Sequence, residues 1–166
     1  MDDSYAIRLA KTKLRDAYKE GDVDGVLSVF GDAYSDMSVG LASFYGPEAP
    51  AVLKHRLNEL FASYKAQLAV TIISIRVNRP WAFDWGWHQL TLIPKKGGAP
   101  IITRTRYLEI WQKDADGQWK IAIYFDNRDV PPQMPPGDVL EEISGRRTGA
   151  PRGSVRRRRS RSTRIV

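Results

Sequence analysis

The sequence predicts an α+β fold in which three helices of the N-terminal half pack on a strongly curved, mixed or antiparallel sheet. Three observations carry this. Apolar residues recur at spacings of three and four as far as Tyr64, the pattern changes from Gln67 onward to long alternating runs, and those runs are separated by compact turn signals.

The first helix begins at Asp3 or Ser4 as N-cap and places Ile7, Ala10, Leu14, Ala17 and Tyr18 on one face, with Gly21 ending it. Asp22 caps a second, short helix whose Val26, Leu27 and Phe30 point one way, and Gly31-Asp32 closes it. Ala33 to Val39 alternates as a strand, and Ser43 to Tyr45 makes a short partner after the Gly40 turn. Pro47 suits the first turn of a third helix, whose apolar stripe is Val52, Leu53, Leu57, Leu60, Phe61 and Tyr64. Four long strands follow: Leu68 to Asn78, Trp81 to Pro94, Ile101 to Lys113 and Trp119 to Asn127. The turns between them favour consecutive antiparallel pairing, and strands of this length curl because twist accumulates along them. Residues 131–144 open with a proline-rich stretch that cannot continue a central strand and read as the exit from a domain spanning residues 1–130. Residues 145–166, rich in Arg, Gly and Ser, lack the apolar content to fold and are expected to be a disordered tail.

Charge divides the chain at the same place. Nine of the 26 basic residues lie from Gly145 onward and all 19 acidic residues lie before it, so the net charge of +7 belongs to the tail, and the domain is nearly neutral. The clustered arginines suggest phosphate binding, but no aromatic residue is interleaved to stack on bases, so any contact with nucleic acid would be non-specific. The chain has no cysteine, which excludes disulfides, thiolate metal sites and thiol chemistry. Its first residues carry charges with no continuous apolar run, which argues against a signal peptide or membrane span and makes a cytoplasmic protein the plain reading.

The segments AYKEGDVDGVLSVFGDAY, FYGPEAPAVLKHRL, WAFDWGWHQLTL and above all RYLEIWQKDADGQWKIAIYFDN resemble the SnoaL-like branch of the nuclear transport factor two-like superfamily, over roughly residues 4 to 130. The resemblance implies a cone formed by the bent sheet and closed by the helices, polar residues at the bottom of an apolar pocket, and dimerisation through the outer face of the sheet. It marks a fold shared by isomerases, hydrolases, cyclases and dehydratases, and so leaves the reaction open.

Every second residue of a strand looks into such a cone. Counting back from Gly117, Glu109 falls where the ketosteroid isomerases of the superfamily keep a protonated aspartic acid, with Thr103, Thr105, Tyr107 and Trp111 on the same face. The last strand then turns Ala122, Tyr124 and Asp126 inward, and the strand starting at Trp81 turns in Asp84, Gly86 and His88. On the first strand Tyr34 and Asp36 face inward in one register and Met37 in the other, since a slip of one residue exchanges the faces. Tyr124 stands where the epoxide hydrolases carry their catalytic aspartate, and Leu14 where the isomerases have their oxyanion tyrosine, so two known constellations are incomplete.

The candidate catalytic residues are accordingly His88, Glu109 and Asp36, with Asp84, Tyr107, Trp111, Tyr124, Asp126 and Tyr34 as candidate pocket residues. An imidazole beside a buried carboxyl is a plausible general acid–base pair near neutral pH. No spaced ligand motif such as His-x-x-x-His is present, and no metal or other cofactor is expected. His55, between Lys54 and Arg56, reads as a solvated surface residue. Trp81, Phe83, Trp85 and Trp87 take the other face of their strand. Four large rings in a row favour a subunit interface, with Arg104 and Arg106 at its rim. The expected function is binding of a small apolar ligand, with acid–base catalysis by the pocket carboxylates and His88 as the alternative.

Overall fold

The computed structural model describes residues 2–129, all within the compact unit Met1–Val130. The proline-rich segment at 131–144 and the arginine-rich tail at 145–166 lie outside the described residues. Helices α1 (Asp3–Glu20), α2 (Val23–Leu27) and α3 (Ala49–Ser63) pack on a six-stranded sheet of β1 (Phe30–Met37), β2 (Phe44–Tyr45), β3 (Tyr64–Asn78), β4 (Trp81–Pro94), β5 (Ile101–Lys113) and β6 (Trp119–Arg128). The order across the sheet is β2-β1-β6-β5-β4-β3. All neighbours are antiparallel except β1 and β6, which run parallel. Among the described residues no helix is long and apolar enough to cross a membrane.

Local chemistry explains the boundaries. Helix α1 ends at Gly21, whose φ of 71° is left-handed and lets its N–H turn back toward the last helical carbonyls. Asp22 caps α2 by accepting a hydrogen bond from Gly25 N at 2.9 Å. The N-cap of α1 is Asp2 and not Asp3 or Ser4, and two boundaries differ by three residues or more from those predicted. Strand β1 starts at Phe30 rather than Ala33, because α2 stops at Leu27 and frees the chain three residues earlier. Tyr64 belongs to β3 instead of closing the stripe of α3: its backbone is already extended, at φ −131° and ψ 149°, so helix passes into strand without a turn.

The core lies between the helices and one face of the sheet. Ile7, Leu14 and Ala17 of α1, Val26 of α2, and Leu53, Leu57 and Phe61 of α3 are buried with Leu68, Ala82, Trp111 and Ile121. At one end α1 is fastened to the sheet by Asp3, which accepts hydrogen bonds from Arg79 Nε, Lys113 Nζ and Trp119 Nε1. The bond from Arg79 is the largest of the influences that hold this carboxyl well below the usual carboxylate range.

Candidate functional site

Alternation along β4 and β5 brings the inward residues together in rows. Ala82, Asp84, Gly86 and His88 are buried on β4, opposite Trp111, Glu109, Tyr107 and Thr105 of β5. On β1 the buried residues are Tyr34 and Asp36, so Asp36, rather than Met37, takes the inward register. On β6 Tyr124 lies opposite Glu109 and Asp126 opposite Tyr107. The expected inward position of Ala122 is displaced: the register of β5 against β6 shifts between Ile110 and Trp111, and Ile121 becomes the residue opposite Trp111.

These rows form two regions. The first is a cavity of about 660 Å³ lined by Leu14, Leu57, Leu60, Leu68 and other apolar side chains, with Asp36, Ser38, His88, Tyr124 and Asp126 among its polar residues. The second lies beyond His88, where α1 covers the sheet. Glu109, Asp84, Tyr107, Trp111 and Tyr34, all expected in the pocket, are buried but do not line the cavity. Tyr34 packs against Phe30 and Phe44 instead, and for the other four the reason is Lys11. Its side chain enters from α1, is 3% exposed, and sets Nζ 2.6 Å from Glu109 Oε2 and 3.5 Å from Asp84 Oδ2, over the Tyr107 ring at 3.8 Å. Lys11 was absent from the residues singled out in the sequence, although Ile7, Lys11, Leu14 and Tyr18 share one helical stripe.

Hydrogen bonds divide the roles of the two buried acids. Asp84 Oδ1 accepts from Trp111 Nε1 and Oδ2 from Tyr107 Oη, both at 2.8 Å, which is the environment of a carboxylate. Glu109 has no well-directed hydrogen bond to either oxygen, and burial, its largest influence, pushes its carboxyl up to about 8. An ammonium, a carboxylate and a neutral carboxylic acid leave this interior without net charge.

A hydrogen-bonded chain runs along the cavity wall and ends at His88, which adjoins that cluster by packing and not by a hydrogen bond. Tyr124 Oη donates to Asp126 Oδ2 at 2.9 Å, and Asp126 Oδ1 accepts from Val39 N at 2.7 Å. The single hydroxyl proton of Tyr124 being used, His88 Nδ1, 3.3 Å away, is the donor to Tyr124 Oη. His88 Nε2 is then unprotonated and stands 3.9 Å from Glu109 Oε1. The imidazole stacks on Tyr107 at 4.0 Å, and burial, followed by the charge of Lys11, holds it well below its ordinary pKa, so it is neutral at pH 7. Asp36 Oδ1 accepts from Ser38 N and Oγ at 3.0 and 2.6 Å. Burial raises its carboxyl even so.

A titration follows from the Glu109 geometry. A carboxyl with its folded pKa raised binds its proton more tightly in the native state, so stability is fully present below the unfolded value, near 4.5, and is lost as pH rises toward 8. Glu109→Gln removes that loss. Urea unfolding is expected to place the variant within about 1 kcal/mol of the parent chain at pH 4 and clearly above it at pH 9; an equal difference at both pH values would contradict a neutral Glu109.

His55 is exposed beside Glu59 and does not itself line the cavity. Among the described residues no group of His, Cys, Asp and Glu is arranged to hold a metal ion.

This architecture, a curved mixed sheet with three helices over one face, is the cone fold of the nuclear transport factor two-like superfamily. The chain is similar to a solved protein from Planctomyces limnophilus described as a conserved protein, at 19% identity over 76% of this chain and 97% of that one, with a TM-score of 0.67. It is also similar to a ketosteroid isomerase-like protein from Erwinia carotovora atroseptica, at 21% identity over 76% and 96%, with a TM-score of 0.64. A nuclear transport factor two-like protein with a cystatin-like fold from Novosphingobium aromaticivorans gives 15% identity over 78% and 84%, with a TM-score of 0.63. At these identities the likeness is one of fold. No family model and no curated protein sequence matches the chain.

Proposed function

We propose that the domain binds a small, mostly apolar molecule inside the cone, with the polar end of that molecule against Asp36, Tyr124, Asp126 and His88. The observation that carries this reading is the cavity itself. Its volume of about 660 Å³ falls within the roughly 300–1,000 Å³ of small-molecule sites, and apolar walls with a few convergent polar groups are their usual chemistry. Trp111 and Tyr107, the large rings able to fill it, are engaged with Asp84 instead.

A second reading, acid–base catalysis on the bound molecule, is supported by the directed chain from His88 through Tyr124 to Asp126. In it Asp36 accepts a proton from the ligand, while the chain, whose N–H and O–H donors all point toward Asp126, returns one there, His88 relaying rather than abstracting. Glu109 has a place in this reading as the proton-bearing group behind His88, without touching the ligand.

One experiment addresses both. Titration with 2-naphthol in D2O, followed by NMR, is expected to give saturable binding of one molecule per chain, which Leu60→Trp abolishes by narrowing the cavity while unfolding stays cooperative. Binding that survives Leu60→Trp, or fails to saturate, rejects the cavity as the site. Ring-proton exchange accelerated by the protein and lost in Asp36→Asn favours catalysis; unaccelerated exchange leaves the binding reading alone.

The partner proposed for the outer face is a second copy of the chain. Trp85, Leu108 and Phe125 form one row across β4, β5 and β6, and Phe83, Ile110 and Ile123 the next. Phe83, Leu108 and Phe125 are each about 40% exposed, a contiguous apolar patch bordered by Arg106 bonded to Asn127 and Arg104 paired with Asp129. Leu108→Lys at its centre is expected to convert a dimer to a monomer in sedimentation velocity. A parent chain that is already monomeric at high concentration would remove the proposal.

A further inference from the structure

The charges lining the cavity are unbalanced. The buried Asp36 and Asp126 share the lining with a single guanidinium, that of Arg56, and His88 is neutral, while Glu59, also at the lining, is exposed beside His55. Arg56 does not close the imbalance. Its guanidinium lies 4.6 Å from the centre of the Phe44 ring, its Nη2 donates to Ala42 O at 3.1 Å, and it forms no ion pair with either aspartate.

The two aspartates are instead held by neutral donors. Asp126 takes Val39 N and Tyr124 Oη, and Asp36 takes both donors of Ser38 on one oxygen. Asp36 is 5% exposed and lines the cavity, yet its Oδ2 accepts no hydrogen bond from the described residues. A carboxylate withdrawn from bulk water, fixed by a turn and left with an open oxygen is suited to a donor that arrives with a ligand. Tyr18 and Tyr124 line the same cavity.

Resting on the ligand-binding reading, we infer that the bound molecule is an organic cation: an apolar body ending in a protonated amine, with the ammonium between Asp36 and Asp126 and the body along Leu14, Leu57, Leu60 and Leu68. The ammonium supplies the positive charge that this end lacks, and its three donors suit carboxylate oxygens at the lining, of which Asp36 Oδ2 is the open one. An anionic ligand of the same shape would meet two buried carboxylates, and a neutral alcohol would leave their charge uncompensated.

Three probes with one body and different ends test this: 4-phenylbutylamine, 4-phenylbutanol and 4-phenylbutyrate, titrated into the full chain by calorimetry at pH 7 and at two salt concentrations. The amine is expected to bind about tenfold more tightly than the alcohol, with the acid weakest. Asp126→Asn and Asp36→Asn each reduce amine affinity about tenfold and leave the alcohol unchanged. Arg56→Gln, at a surface position outside the core, tightens the amine and so keeps the test informative where an aspartate variant fails to fold. Alcohol binding equal to or tighter than amine binding, or an amine affinity indifferent to Arg56→Gln and to whichever aspartate variants fold, overturns the inference and leaves the ligand-binding reading intact. Failure of all three probes to bind counts against both.

Discussion

Replacing Lys11 with methionine is expected to lower stability by about 3–5 kcal/mol in urea unfolding, a large part of the 5–15 kcal/mol typical of a domain. Methionine keeps the length and apolar body of the side chain, so the loss isolates the ammonium. Without it Asp84 retains the bonds from Tyr107 and Trp111, but a buried carboxylate has lost its cation, since among the described residues no other Lys or Arg lies within 4 Å of Asp84 or of Glu109, and His88 is neutral. The double variant Lys11→Met, Asp84→Asn removes both charges and should recover about half of that loss, because the cost lies in leaving one partner alone. A double variant as unstable as the single one would show that Lys11 acts through packing. The replacement should also release His88 from a neighbouring positive charge and move its titration toward the ordinary histidine range, visible by NMR.

Gly86→Ala is the second large effect, of about 3 kcal/mol or more. A Cβ at Gly86 would lie 1.9 Å from the carbonyl oxygen of Thr71 and 3.0 Å from its carbon. Both are backbone atoms of the adjacent strand, so no rotamer relieves the clash and β3 must move away from β4. The site is where β3 carries one extra residue between Ile72 and Ser74, and the kink that this produces presses the chain against Gly86. Overpacking against movable side chains costs about 1–3 kcal/mol, and a backbone obstacle puts this case at or above that range. Gly25→Ala is the control. Its Cβ would meet Asp22 Oδ2 at 2.3 Å, the end of a side chain that can rotate away, for a loss near the ~1 kcal/mol of a helix cap. Equal losses for the two variants would refute the distinction.

Both effects arise from features that reading the residues in order does not expose. The long strands were legible because glycine and proline mark the ends of β4 and β5, and the alternation of Ala82, Asp84, Gly86 and His88 with four aromatic residues fixes which face is buried. The inward placement of Asp36 was undecidable locally, since Asp36 and Met37 are adjacent, and it follows from pairing with Tyr124 on a strand far away in sequence. Bulges were equally hidden: the shift near Ile110 exchanges Ala122 for Ile121, and nothing in the composition of those strands signals it. Lys11 is different. Its spacing from Ile7 and Leu14 placed it on the buried stripe of α1, but a lysine in a helix is ordinarily taken as solvated, and the acids that hold it, Asp84 and Glu109, lie far later in the chain. A cation within an apolar stripe was the available signal, and its partners required the fold.

The parallel pairing of β1 with β6 has a consequence for biosynthesis. Val39 N, just past the end of β1, bonds to a side chain 87 residues away, and neither edge of β1 has another long strand to accept it. While the ribosome is still making the intervening hairpins, this strand can pair with the short β2 and pack on α3, but its long partner is missing until nearly the whole domain has emerged. Such a late, long-range closure slows folding and exposes a hydrophobic segment in the interim, which makes the nascent chain a natural client for holding chaperones.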